Sequence, residues 1–232
     1  MLRNSFIIIA VAVFGWFLYS TFANYQTQTE LNKTASYYNT NEAAEVGAAN
    51  VVTAIVVTYR GLDTLGEVTV LFLTTLIIGF ILKKTPSNSV KNQYNPSSEI
   101  LVTASKILIP ESIILGVYIF INGHLTPGGG FQGGAVIGSA IVLMALADPY
   151  KIMSKKVMHF VEGISGFTYV IIGLLGLILA AGFLDNRILP LGTLGNILSA
   201  GVIPIIYSLI GLKVGAEISG IVNNIHETET TL

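Results

Sequence analysis

Seven long apolar stretches, at about residues 5–22, 43–59, 64–82, 100–122, 131–147, 160–183 and 193–215, constrain this chain more than any motif does. A helix needs about 20 apolar residues to cross a bilayer, with a range of about 17–25. Backbone inside lipid must satisfy its own hydrogen bonds, which favours helices. Composition agrees: 52% of residues are hydrophobic, 11% are charged, and the mean hydropathy is +0.71. A soluble domain carries about 25% charge, so a water-soluble enzyme is excluded. A net charge of −1 and a pI near 6.3 leave no basic footprint for nucleic acid. The absence of cysteine removes disulfides, thiolate metal sites and iron–sulfur ligation. The sequence therefore predicts an all-α integral membrane protein with about seven transmembrane helices.

The second stretch is the weakest, because its uncharged core from Val46 to Tyr59 is short for a crossing. It is either a full span or a re-entrant element, and the choice sets the parity of everything before it. The first stretch reads as a retained helix, since no small-residue cleavage pattern follows it. Residues 83–98, KKTPSNSVKNQYNPSS, have the composition of an exposed linker. This predicts a 3 + 4 arrangement: a three-helix unit over 1–82, a cytoplasmic linker over 83–98, and a four-helix unit over 99–232. With seven crossings, Arg3, Arg60 and Arg187 fall on one face. Lys33, Lys83, Lys84, Lys91, Lys151, Lys155 and Lys156 fall on the other. The positive-inside rule makes the lysine-rich face cytoplasmic, with the N-terminus outside and the C-terminus inside.

An ionisable group inside lipid costs about 2.5–3.5 kcal/mol on insertion scales, so each demands a reason. Glu111 sits halfway along the fourth stretch, and Pro110 beside it leaves the Lys106 carbonyl without its helical donor. It reads either as an ion-translocation residue with Lys106 as charge partner, or as a structural pair with a neighbouring chain. Asp63 and Glu67 share one helix face at i, i+4, with Arg60 nearby. Asp63 suits an outer helix start, whereas Glu67 lies a turn deeper and fits either role. Lys213 and Glu217 are accounted for by snorkelling and a local ion pair. Glu162 and His159 read as interfacial.

The three histidines have no metal-ligand spacing, and no nucleophile elbow or phosphate loop is present. Nothing suggests a catalytic centre or a bound cofactor in this chain. The glycines point to packing. Gly130, Gly134 and Gly138 recur every four residues, and Gly211 and Gly215 give a second small-residue face, as close helix contact in lipid requires. His124, before the Thr126–Gly130 turn, is expected at an outer vestibule where an imidazole suits proton shuttling. Several in-membrane charges and two smooth faces imply one component of something larger.

The run HLTPGGGFQGG, preceded by ILIPESIILGVYIFING, closely resembles the B subunit of the Mrp-type multisubunit sodium/proton antiporters, over about residues 99–223. Upstream, NVVTAIVVTYRGLDTLGEVTVLF resembles the C-terminal end of the large A subunit of the same antiporters. It is also similar to the small E subunit of membrane-bound hydrogenases, over about residues 35–82. The family stretch usually reads Asp-Phe/Tyr-Arg-Gly-Phe-Asp, and here its first acid is replaced by Thr58. The resemblance implies a fused subunit of the cell membrane, in a complex exchanging Na+ and H+. Other antiporter subunits are the implied partners, with redox subunits added in a hydrogenase-like assembly. It puts Glu67 and Glu111 at stake, with Asp63, Arg60, Lys106 and His124 around them. The competing expectation is a scaffold that joins larger, ion-conducting subunits.

Overall fold

A computed structural model describes residues 2–23, 30–82, 97–148 and 153–229. Most of the linker stretch lies outside the described residues, together with Lys83, Lys84, Lys91 and Lys151. The described residues form helices and connecting loops: α1 (Leu2–Ala23), α2 (Lys33–Glu45), α3 (Val51–Thr53) running into a π-helix (Ala54–Tyr59), α4 (Gly61–Ile81), α5 (Glu99–Ile121), α6 (Gly130–Ala147), α7 (Lys155–Leu179), a 3-10 turn (Asn186–Ile188) and α8 (Ile203–Glu229). Six of them, α1 and α4 to α8, are long and apolar enough to cross a membrane.

The chain divides into two compact units, residues 1–37 and 38–232. The first holds α1, apolar all round and with none of its span buried, and the start of α2. There Asn32 accepts the Ala35 N–H at 2.8 Å, capping α2. The second unit is a bundle built on α8, which packs against α4, α5, α6 and α7 and is the most buried of the six long helices. The composition break at 83–98 is therefore not a break in packing. α4 precedes the linker yet packs on α8, which follows it.

Close packing of α6 on its neighbours rests on absent side chains. A Cβ at Gly134 would stand 2.7 Å from the Gly211 carbonyl, and one at Gly138 would stand 2.6 Å from Ile218. Gly130 faces Ile210 in the same row. On α8, Gly211 receives the Phe120 ring of α5, and Gly215 faces Ile137 of α6.

Two stretches depart from the hydropathy pattern. Residues 43–59 do not form one helix. α2 stops at Gly47, whose φ of 71° is left-handed, and the Val46 and Gly47 N–H groups both reach the Glu42 carbonyl. Val46 O accepts Asn186 Nδ2 at 2.7 Å, and the Ala49 and Asn50 N–H groups donate to His124 O at 3.0 and 3.1 Å. Asn50 caps α3 by accepting from Val52 N, and it also donates to Gly123 O and Thr126 O. The π-helix then returns the chain to Gly61, which packs on Leu184. The segment from Val46 to Gly61 therefore begins and ends against the same α7–α8 loop. The second departure is 193–202, apolar but looped, so α8 begins ten residues later than the apolar run. Gly201 (φ 61°) makes the turn where any Cβ would strike the Asn186 carbonyl.

Candidate ion-handling residues

The expected site residues fall in separate places. Glu111 and Lys106 lie on α5, and both are exposed on the outside of the bundle. Glu67 is exposed on α4, and Asp63 ion-pairs with Arg60 at the start of that helix. Among the described residues no side chain pairs with Glu111. Its carboxyl, halfway along a 23-residue membrane helix, thus faces whatever surrounds the chain.

His124 is not in a vestibule. It is fully buried in the α5–α6 loop, with its carbonyl taken by Ala49 and Asn50 and its Nε2 at 3.3 Å from Asn196 O. Burial pushes its imidazole below the ordinary value of 6.5, partly offset by hydrogen bonding to the backbone of Asn196, Ile121 and Ile197. Beside this junction, Thr53 donates to Gly123 O at 2.7 Å and Tyr207 donates to Thr53 Oγ1 at 3.0 Å. A cavity of about 320 Å³ at the same end is lined by Glu45, Thr58, Tyr59, Asp185 and Arg187 among others. Tyr59 donates to Glu45 at 2.6 Å. The Arg187 hydrogen bonds, the largest influence, hold the Asp185 carboxyl down at about 2. Thr58, where the resembling family has an acid, contributes a buried hydroxyl to this cavity.

The charges expected at the interface are the ones the bundle encloses. Lys213 Nζ lies 2.6 Å from Glu217 Oε1, and the two residues keep 8% and 0% of their surface. The expected local ion pair is present, but the snorkelling is corrected: α8 spans 203–225, not 193–215, which puts Lys213 near mid-span. The lysine crosses the α4 face, 4.8 Å from the Phe72 ring centroid, and runs beside Gly166 of α7. Glu217 Oε2 is buried without a hydrogen-bond partner. Glu162, on α7 two turns from its start, is also buried, close enough to act electrostatically on Glu217. His159 Nδ1 stands 3.4 Å from Glu162 Oε2. The late start of α8 is what moves Lys213 and Glu217 inward, and in the sequence only the Gly192, Gly195 and Gly201 spacing hints at it. Among the described residues no group of His, Asp and Glu has the arrangement of a metal site.

The described residues thus form a helical bundle of candidate membrane spans, with one ion pair enclosed at mid-span and a carboxyl exposed on its outside. Residues 100–220 match the family described as a domain related to the MnhB subunit of the Na+/H+ antiporter, and the chain belongs to that family. Residues 1–96 match MbhE, the E subunit of MBH. The chain is 32% identical to the B subunit of the Na+/H+ antiporter of Bacillus subtilis, over 41% of this chain and 68% of the relative. It is 29% identical to an uncharacterized protein of Methanocaldococcus jannaschii, over 73% of this chain and 74% of the relative. Among solved structures, one is a chain of the membrane-bound sulfane sulfur reductase (MBS), an archaeal respiratory membrane complex. Its TM-score is 0.81 at 39% identity, covering 97% of this chain and 98% of that one. A chain of the Mrp complex from Dietzia sp. DQ12-45-1b gives a TM-score of 0.75 at 25% identity, covering 97% of this chain and 26% of that one.

Proposed function

We propose that this antiporter-family protein lends carboxylates to a Na+ or H+ path running along its surface, between it and neighbouring subunits. The observation that carries this reading is Glu111: a carboxyl exposed at mid-span cannot face lipid without heavy cost, so a neighbouring chain covers it. Glu67 on α4 is the second such acid, with Lys106 and the Asp63–Arg60 pair at the approaches. Those neighbours are other Mrp-type subunits, and redox subunits of a respiratory complex beyond them. Near end-to-end correspondence with a chain of the sulfane sulfur reductase complex supports the redox-coupled assembly over a stand-alone exchanger.

The lysine-bearing end of α7 faces the cytoplasm on the positive-inside rule, which keeps the C-terminus inside. A 3 + 4 count of seven crossings would need 43–59 to traverse the bilayer. A segment that begins and ends against one loop supports six crossings instead, two before the linker and four after. The N-terminus then shares the cytoplasmic side, the reverse of the parity expected from seven spans. The test of the path is exchange in proteoliposomes of the purified complex. Glu111→Gln and Glu67→Gln each reduce sodium/proton exchange at least tenfold while the complex keeps all its subunits. Wild-type exchange in both variants would leave only the scaffold role.

A further inference from the structure

The cavity of about 320 Å³ at the His124 end carries polar groups that the packing of the bundle does not use. Three segments wall it: Glu45 from the end of α2, Thr58 and Tyr59 from the π-helix, and Asp185, Asn186 and Arg187 from the α7–α8 loop. Asn186 is fully buried, and its Nδ2 donates to Val46 O and Ala200 O. Oδ1 is what its side chain has left for the cavity, and that atom has no hydrogen-bond partner among the described residues. Thr58 Oγ1 is buried in the same state. A buried oxygen left unpaired forfeits the hydration it had in water, so two of them beside one cavity call for a ligand that oxygen lone pairs can hold.

Charge decides what kind of ligand. Glu45, Asp185 and Arg187 are the charged side chains of the lining, and together they carry one net negative charge. Arg187 is already committed to Asp185 through two of its nitrogens, which leaves little to attract an anion. Asp185 also accepts the Ala181 and Arg187 N–H groups, and its carboxyl, held down at about 2, is ionised at neutral pH. A divalent ion calls for more carboxylates, and among the described residues no three acidic or histidine side chains converge on a metal position. A monovalent cation matches the charge. Neutral oxygens of unwound backbone coordinate Na+ in transporter folds, and here an amide carbonyl and a hydroxyl supply oxygens for the same purpose. The volume is many times that of one water, so the cation keeps part of its hydration shell.

We infer that this cavity binds a monovalent alkali cation, with Asn186 Oδ1 and Thr58 Oγ1 as neutral ligands and Glu45 and Asp185 supplying the charge. The site is distinct from Glu111 and Glu67, which are exposed on α5 and α4. Sodium as the particular ion rests on the antiporter reading, whereas the site itself rests on the unpaired oxygens and the charge of the lining.

The test is amide hydrogen exchange of the purified native complex, mapped by mass spectrometry, in sodium chloride and in choline chloride at equal ionic strength, so that screening is the same in both. The Ala181 and Arg187 amides, which donate to Asp185, are the reporters. With sodium at ten times its dissociation constant, their exchange is expected to slow about tenfold relative to choline. Thr58→Val keeps the shape, loses the oxygen and removes most of that sodium effect, with protection in choline unchanged or higher. Glu45→Gln keeps an acceptor for the Tyr59 hydroxyl but loses the charge, and it too flattens the sodium response. Equal exchange in the two salts by the intact complex overturns the inference, whether water or a basic side chain of a neighbouring subunit fills the cavity. A Thr58→Val complex with the wild-type sodium response overturns it as well. Amide exchange is read without transport, so a complex that protects these amides yet moves no sodium sinks the antiporter path and keeps the site.

Discussion

His124 and Lys213 both lie deeper in the structure than the sequence places them, His124 under a loop and Lys213 along a helix. Distance along an apolar run puts His124 at a surface and Lys213 near an interface, but the position of a side chain in space depends on where its helix starts. His124, next to a glycine turn, is sealed by the 46–50 segment that folds over it. Its depressed imidazole gives a signed prediction. A histidine whose folded value lies below its unfolded one contributes stability that is fully present above about pH 6.5 and lost as pH falls below that toward the folded value. Exchange of the Ala49 and Asn50 amides, corrected for intrinsic rate, therefore accelerates between about pH 7.5 and about pH 5.5. His124→Gln removes that pH dependence. Equal protection at both pH values in the native protein would show that the ring does not couple to the junction.

At the scale of elements, the α6–α8 contact depends on hydrogen atoms where other helices carry side chains. Gly134→Leu forces a branched chain against the Gly211 carbonyl and Val214. Overpacking of this kind costs about 1–3 kcal/mol or more when backbone is the obstacle. The variant should lower the thermal stability of the detergent-solubilised complex, whereas Gly163→Ala, whose added Cβ meets nothing within 4 Å in this chain, leaves the bundle itself intact. Comparable melting of the two would remove Gly134 from the packing account. Much of this was legible in the sequence: α1 and α4 to α7 lie within a few residues of their apolar runs, because hydropathy reports lipid exposure directly. The 193–202 loop was not legible. Its Leu194, Ile197 and Leu198 are exposed while Ala200 and Val202 are buried, and hydropathy does not separate those uses from a membrane span. Glu111 and Glu67 were legible as acids in apolar context, but their outward aim is a property of helix rotation.

For the whole molecule, the absence of cysteine makes topology directly measurable. Single cysteines at Asn4 and Lys156 should both resist a membrane-impermeant maleimide applied to right-side-out vesicles, and one at Leu194 should react. Labelling at Asn4 from outside would restore a seventh crossing and overturn the six-crossing topology. The two sequence families matched by the chain meet at the linker, yet α4 packs on α8, so the fused halves share a core. That is why a break visible in composition is invisible in packing.

The stitching of residues 46–61 across two loops has a mechanical corollary. Asn186, Asn50, Thr53 and His124 tie the α5–α6 loop, the α7–α8 loop and the approach to α4 into one network of hydrogen bonds, while the far ends of α4, α7 and α8 are parted by a cavity. Rods clamped at one end pivot about the clamp. Any tilt of α4 against α7 and α8 would therefore move the end beside Lys155 farthest and the end tied down by Asn50, Thr53 and Asn186 least.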